Sequence, residues 1–133
     1  MSVLVDSSVW IAAQSTKNRE CLLLKRLIKD RELIFVALPI QTEVCQGARS
    51  EIEFRKLWDA FLGFPFLELN ETHWLISAVN YFNCRKKGIT PTTMDCLIAT
   101  LAKQHDVPLW SLDKNLERMQ SVIGFRVYRP TKI

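Results

Sequence analysis

Residues 1–13 read MSVLVDSSVWIAA, and their reading decides the fold. The apolar run VLV at 3–5 has the length of a short buried strand and stops on Asp6, Ser7 and Ser8. Val9, Ile11 and Ala12 then follow at the spacing of a first helical turn or two. A strand that passes straight into a helix is the first half of a β-α unit. An aspartate at such a junction has two readings. It can cap the helix by accepting its free backbone N–H groups, or it can hold a ligand.

The same alternation continues outward. NRECLLLKRLIKD offers Asn18 as a cap and apolar positions 21, 24, 27 and 28 on one stripe, so a helix is expected. LIFVAL at 33–38 is a continuous apolar run, expected as a second buried strand. PIQTEVCQGA follows as a helix with Pro39 in its first turn, where a missing N–H is harmless. Ser50 and Glu53 form a capping-box pattern ahead of a helix that Gly63 should stop.

FPFLEL is a third strand candidate, and NETHWLISAVNYFNCRKKG a helix capped by Asn70, with Leu75, Ala78, Val79 and Phe82 expected as its buried stripe. TTMDCLIATLAKQH is a helix with Leu97, Ile98, Leu101 and Ala102 inward. VPLWSLD reads as a strand ending in Asp113, KNLERMQSVIG as a helix ending at Gly124, and FRVYR as a last strand. Strands that alternate with helices and lack period-2 polarity lie in a parallel sheet covered on both faces. The expected fold is therefore α/β, a three-layer α/β/α sandwich around a parallel sheet of about five strands, in one domain over residues 1–133.

Composition narrows the function classes. With 48% hydrophobic and 24% charged residues among 133, the chain has the makings of a single packed core. No apolar run approaches the roughly 18 residues of a membrane span, and no basic segment precedes an apolar leader, so a cytoplasmic location is expected. Cys21, Cys45, Cys84 and Cys96 are scattered without a C-x-x-C pair, and their expected role is that of small buried hydrophobes. Eighteen basic residues against fourteen acidic ones give a net charge of +4, a weak lean toward a polyanionic partner. The densest basic cluster, RKKG at 85–88, also suits a helix C-terminus.

The acids carry more information. Asp6 and Asp113 both end strands, which places them at the same edge of a parallel sheet, where α/β folds bind ligands. Asp95 stands in the first turn of its helix, and Glu43 borders the stripe of Ile40, Val44 and Gly47. Each aspartate alone could be a helix-end acid. Glu43 resists that reading, because a carboxylate well inside a helix beside apolar neighbours is costly unless something positive pairs with it. No cation in the neighbouring turns can pair with all four. A divalent cation would relieve their repulsion, and oxygen-only ligands suit a hard ion, Mg²⁺ or Mn²⁺.

VDSSVWIAA, LPIQTEVCQG, TTMDCLIATLA and LWSLDKNLERM, taken in order over essentially the whole chain, resemble the PIN domain, specifically the small VapC-type toxin ribonucleases of toxin–antitoxin pairs. The resemblance implies strand order 3-2-1-4-5 and a Mg²⁺- or Mn²⁺-dependent endoribonuclease that leaves a 5′-phosphate and a 3′-hydroxyl. It further implies that Asp6 and Asp95 are the central metal ligands, with Asp113 and Glu43 completing the catalytic pocket and Ser7 and Ser111 as supporting hydroxyls. Many relatives carry another acid two residues after Asp113, where this chain has Asn115. The resemblance also implies an RNA substrate, a small antitoxin lying in an apolar groove, and a homodimer.

Two other readings compete. A receiver-like phosphoacceptor needs an acidic pair after its first strand and an aspartate after its third, whereas this chain has Asp6-Ser7 and FLELN. A non-catalytic binding module would use the acids as caps. His73 and His105 fall at helix ends, where a structural role is expected rather than metal-free acid–base catalysis. Phe54, Trp58, Phe61, Phe64 and Phe66 crowd one stretch, with a core role the favoured expectation.

Overall fold

The computed structural model describes residues 1–15 and 17–130; residue 16 and the last three of the expected domain lie outside the described residues. The order of elements is β1 (Ser2–Val5), α1 (Ser7–Ala12), α2 (Arg19–Lys29), β2 (Leu33–Phe35), α3 (Leu38–Cys45), α4 (Glu51–Ala60), α5 (Glu71–Lys86), α6 (Thr93–Gln104), β3 (Leu109–Trp110) and α7 (Lys114–Ile123). A 3₁₀ turn, Phe61–Gly63, follows α4.

β1 lies at the centre of a parallel sheet of order β2-β1-β3. Val3 is level with Ile34 and Leu4 with both Phe35 and Leu109. Both faces of β1 are dry. Leu4 packs with Ile98, Leu101, Leu116 and Met119 on one side, while Val3 and Val5 pack with Leu23, Leu24 and Leu27 on the other. The layers are therefore α2 on one face and α6 with α7 on the other, the three-layer arrangement expected from strands without polar alternation.

The regular sheet has three strands rather than about five. The two outer segments survive as single parallel bridges, Val36 to Phe66 and Leu109 to Val127. Counting those bridges gives the order 3-2-1-4-5. Proline explains the shortening. Pro65 accepts from Val36 N–H at 3.0 Å but has no N–H to return, and Pro130 follows the last bridge closely. Such truncated edges also offer little for edge-to-edge pairing.

Helix ends follow the capping residues in the sequence. Asn18 accepts from Cys21 N–H, Ser50 from Glu53 N–H, and Asn70 from His73 N–H. His73 Nδ1 accepts Asn70 N–H at 3.0 Å, which completes a capping box, and His105 contacts Glu68 O at 2.8 Å. The histidines thus serve structure. Gly124 ends α7 at φ 82°, a left-handed conformation that suits glycine. All four cysteines are buried and free.

Three expectations about packing fail. The stripe of α5 is inverted: Leu75, Val79 and Phe82 face solvent, while His73, Ser77 and Cys84 are buried. Helix α4 buries none of its residues, so Phe54 and Trp58 stack on each other at the surface, and of that aromatic cluster only Phe61 is fully in the core. In α2 the inward set is Cys21, Leu23, Leu24 and Leu27, with Ile28 exposed. Among the described residues no helix is long and apolar enough to cross a membrane.

Candidate active site

Asp6 belongs to strand and helix at once. Its N–H donates to Trp110 O at 2.9 Å, extending the β1–β3 ladder by one residue, and its carbonyl accepts from Val9 N–H at 3.1 Å to begin α1. The side chain is 2% exposed. Its Oδ2 accepts three hydrogen bonds: from Ser8 N–H at 3.3 Å, Ser8 Oγ at 2.7 Å and Ser111 Oγ at 2.9 Å. Its Oδ1 is buried and, among the described residues, has no partner. Cap and ligand are therefore not alternatives here, because one oxygen caps and the other is left over.

The serines tie together loops distant in sequence. Ser8 Oγ accepts Leu112 N–H at 3.0 Å, and Ser111 Oγ accepts Asp113 N–H at 3.0 Å, so both hydroxyls link Asp6 to the β3–α7 connection. Ser7 Oγ donates to Glu43 Oε1 at 3.1 Å, joining α1 to α3. Asp113 is not the end of a strand but the N-cap of α7, its Oδ1 accepting Asn115 N–H at 2.8 Å. Asp95 sits in the first turn of α6 behind its cap, Thr92.

Sequence position alone does not distinguish Ser8, although it makes the shortest bond to Asp6. The signal was the doubled hydroxyl in DSS, but only the turn at the strand end decides which serine faces inward.

Electrostatics gather the four acids into one group. Burial pushes the Glu43 carboxyl up, opposed by its bond from Ser7 and reinforced by the charges of Asp6 and Asp113. Burial likewise pushes Asp95 up to about 6, against the Thr92 hydrogen bond and with added repulsion from Asp113, Asp6 and Glu43. Among the described residues none of the four takes part in a salt bridge. Nor do any three His, Cys, Asp or Glu side chains there form a ready-made metal-holding group. A hard ion does not require one, since Mg²⁺ is commonly held by one or two carboxylates with water and substrate oxygens completing its shell. The donor set, wholly carboxylate and hydroxyl oxygen around an orphaned Asp6 Oδ1, suits that kind of ion.

The family profile of the PIN domain matches residues 3–122. The chain belongs to the PIN domain family. No curated protein sequence matches it at a significant level. Among solved structures, this PIN domain is similar to a chain of VapBC2 from Rickettsia felis bound to a promoter DNA fragment, with 14% identity, a TM-score of 0.77, and coverage of 96% of this chain and 98% of that one. It is similar to a chain of VapBC-1 from nontypeable Haemophilus influenzae, at 19% identity and TM-score 0.73, covering 92% and 95%. It is also similar to VapC20 of Mycobacterium tuberculosis, described as a Sarcin-Ricin loop cleaving toxin, at 13% identity and TM-score 0.69, covering 96% and 99%. At these identities the likeness establishes the shared PIN fold.

Proposed function

We propose that this PIN domain is an endoribonuclease that hydrolyses RNA phosphodiester bonds with Mg²⁺ or Mn²⁺, and that it is the toxin of a VapBC-type toxin–antitoxin pair acting in the cytoplasm. The observation that carries the reading is Asp6 Oδ1, a buried carboxylate oxygen that among the described residues has no partner, in a group of acids that make no salt bridge there. Asp6, Asp95 and Asp113 would hold the ion, with Glu43 as the fourth catalytic acid. When bound, the cation supplies Lewis-acid charge against the negative charge that develops on the phosphoryl oxygens, and it lowers the pKa of water.

The chain's own residues supply the positioning. Ser8 and Ser111 occupy Oδ2 of Asp6 and so would leave Oδ1 as the Asp6 oxygen that contributes to holding an ion. Ser7 holds Glu43 toward the same centre, where a carboxylate with a raised pKa is suited to accept a proton from an attacking water. Asn115 donates its N–H to Asp113 and brings no further charge, so a first cation position is better furnished than a second.

A small cognate antitoxin is proposed as the protein partner, because the similar structures include chains from VapBC complexes; a homodimer or toxin–antitoxin hetero-oligomer is the proposed assembly. A receiver-like phosphoacceptor lacks support in the family match, and a non-catalytic module leaves Asp6 Oδ1 unexplained. The test is incubation of total RNA with the protein in Mn²⁺ or in EDTA, followed by end-group analysis. Cutting that needs Mn²⁺ and leaves 5′-phosphates is expected. Cutting unaffected by EDTA, or none in Mn²⁺, would overturn the proposal.

A further inference from the structure

A recess of about 320 Å³ lies between α5 and the first turn of α6, lined by Trp74, Ser77, Ala78, Tyr81 and Thr93. Its size is that of a small-ligand site, and among the described residues no charged side chain lines it. Trp74 and Tyr81 stand seven residues apart on α5, so two turns and about 10 Å separate them along one face of the helix. The small side chains of Ser77 and Ala78 lie between them and leave the slot open. Among the described residues neither ring meets another aromatic ring, and Trp74 is 48% exposed.

Ser77 gives the recess a polar point. The residue is 6% exposed, and its carbonyl accepts from Cys96 Sγ at 3.4 Å. Its hydroxyl makes no hydrogen bond among the described residues. Nor is that hydroxyl sealed in the protein, since Asp6 Oδ1 is the one unpartnered side-chain polar atom there that is cut off from solvent. The Ser77 hydroxyl therefore opens onto the recess that it lines, and Thr93 brings a second hydroxyl-bearing side chain from α6. Two free aromatic faces beside an unpaired hydroxyl fit a flat, uncharged group with a polar edge. A nucleobase is such a group, because bases stack on aromatic side chains and are read by hydrogen bonds along their edges. A phosphate would find no cation here, and an aliphatic group would leave the Ser77 hydroxyl unpaired.

Position names the source of the base. Thr93 and Asp95 share the first turn of α6, about 200° apart around its axis. The recess and the acidic centre thus flank one helix start, and an RNA strand held at the acids meets the recess by crossing that start. We propose that the recess takes one nucleobase of the RNA, from a nucleotide flanking the scissile phosphate, stacked on Trp74 with its edge at the Ser77 hydroxyl. This deepens the proposed function and rests on that reading for the source of the base. Every base has a π-face, so Trp74 supplies affinity, while Ser77 and Thr93 meet the edge and supply the choice of base.

The test measures binding of a short, fluorescently labelled single-stranded RNA to the full-length chain in EDTA, where no cutting is expected. Trp74→Ala should weaken binding about tenfold, the scale of one lost base stack, and Trp74→Phe much less. Ala78→Phe fills the recess and should weaken binding as Trp74→Ala does. Trp58→Ala, at another exposed tryptophan, should change nothing. Trp74 and Ala78 are both exposed, so their variants should melt with wild type. Replacing one nucleotide at a time by an abasic one locates the base: at one position the loss should be about tenfold in wild type and absent in Trp74→Ala. Wild-type affinity in Trp74→Ala, equal abasic losses in the two proteins at every position, or no RNA binding by wild type at tens of micromolar would each overturn the proposal. Binding is read here without metal and without cutting. Its failure leaves metal-dependent cutting standing, and absence of cutting leaves the base site standing.

Discussion

The hydroxyl of Ser111 donates to Oδ2 of Asp6 at 2.9 Å, joining residues 105 positions apart in the chain. Ser8 makes the companion bond at 2.7 Å. Together they fix the rotation of the Asp6 carboxylate, leaving its second oxygen buried and unpaired.

Removing either hydroxyl should therefore loosen the carboxylate without changing the charge of the site. Ser8→Ala and Ser111→Ala should each lower RNA cleavage and Mn²⁺ affinity by about 10- to 100-fold, the usual cost of losing a partner that orients a metal ligand. Ser111→Thr keeps the hydroxyl and should retain most activity. Manganese titration followed by electron paramagnetic resonance reads the affinity without substrate, and wild-type affinity in both alanine variants would contradict the assigned role.

Asp95 gives a pH signature. Its carboxyl is held at about 6 when folded, against about 4 for an unfolded chain, so the folded state binds more protons between those values. Stability of the EDTA-treated protein should fall as pH rises from about 4 to 6 and return as pH is lowered again. Asp95→Asn should lose this component, with its gain over wild type greatest above pH 6 and vanishing below pH 4, while its RNA cleavage drops by orders of magnitude. Urea denaturation across that range tests it. A difference between the two proteins that is the same at pH 4 and pH 7 would refute the raised pKa.

Trp10 supports the site from below. Its Nε1 donates to Val5 O at 3.0 Å, directly before Asp6, and its ring meets Phe61 and Phe64 edge-on at centroid distances of 5.1 and 5.3 Å. Trp10→Phe keeps an aromatic body but orphans Val5 O and should cost about 1 kcal/mol. Trp10→Ala removes the body as well and should cost about 3 kcal/mol. Equal midpoints for the two variants in chemical denaturation would show that the hydrogen bond rather than the ring carries the contribution.

The sequence made the centre of the fold legible and its margins less so. VLV followed by DSS locates β1, the turn and Asp6, because burial on both faces of a strand leaves an unbroken apolar run. The outer strands looked equally regular as FPFLEL and FRVYR, yet one proline in or beside each limits pairing to a bridge. Helical periodicity in α5 marked an apolar stripe correctly but carried no information on what covers it, and the chain's own core does not. Of the proposed site, the four acids could be proposed from type and position. Ser8 could not, since its contacts with Ser111 and Leu112 exist only after residues 103 and 104 positions apart are brought together.

Asp6 Oδ1 is proposed to face a divalent cation. Calorimetric titration of Mn²⁺ into the metal-free protein at neutral pH measures this directly, in wild type and in Asp6→Asn, which keeps the size of the side chain and its capping of α1. Saturable binding by wild type, weakened at least about tenfold in Asp6→Asn while both proteins melt cooperatively, is the predicted result. Equal binding by the two proteins, or no binding heat in wild type at millimolar Mn²⁺, would contradict it.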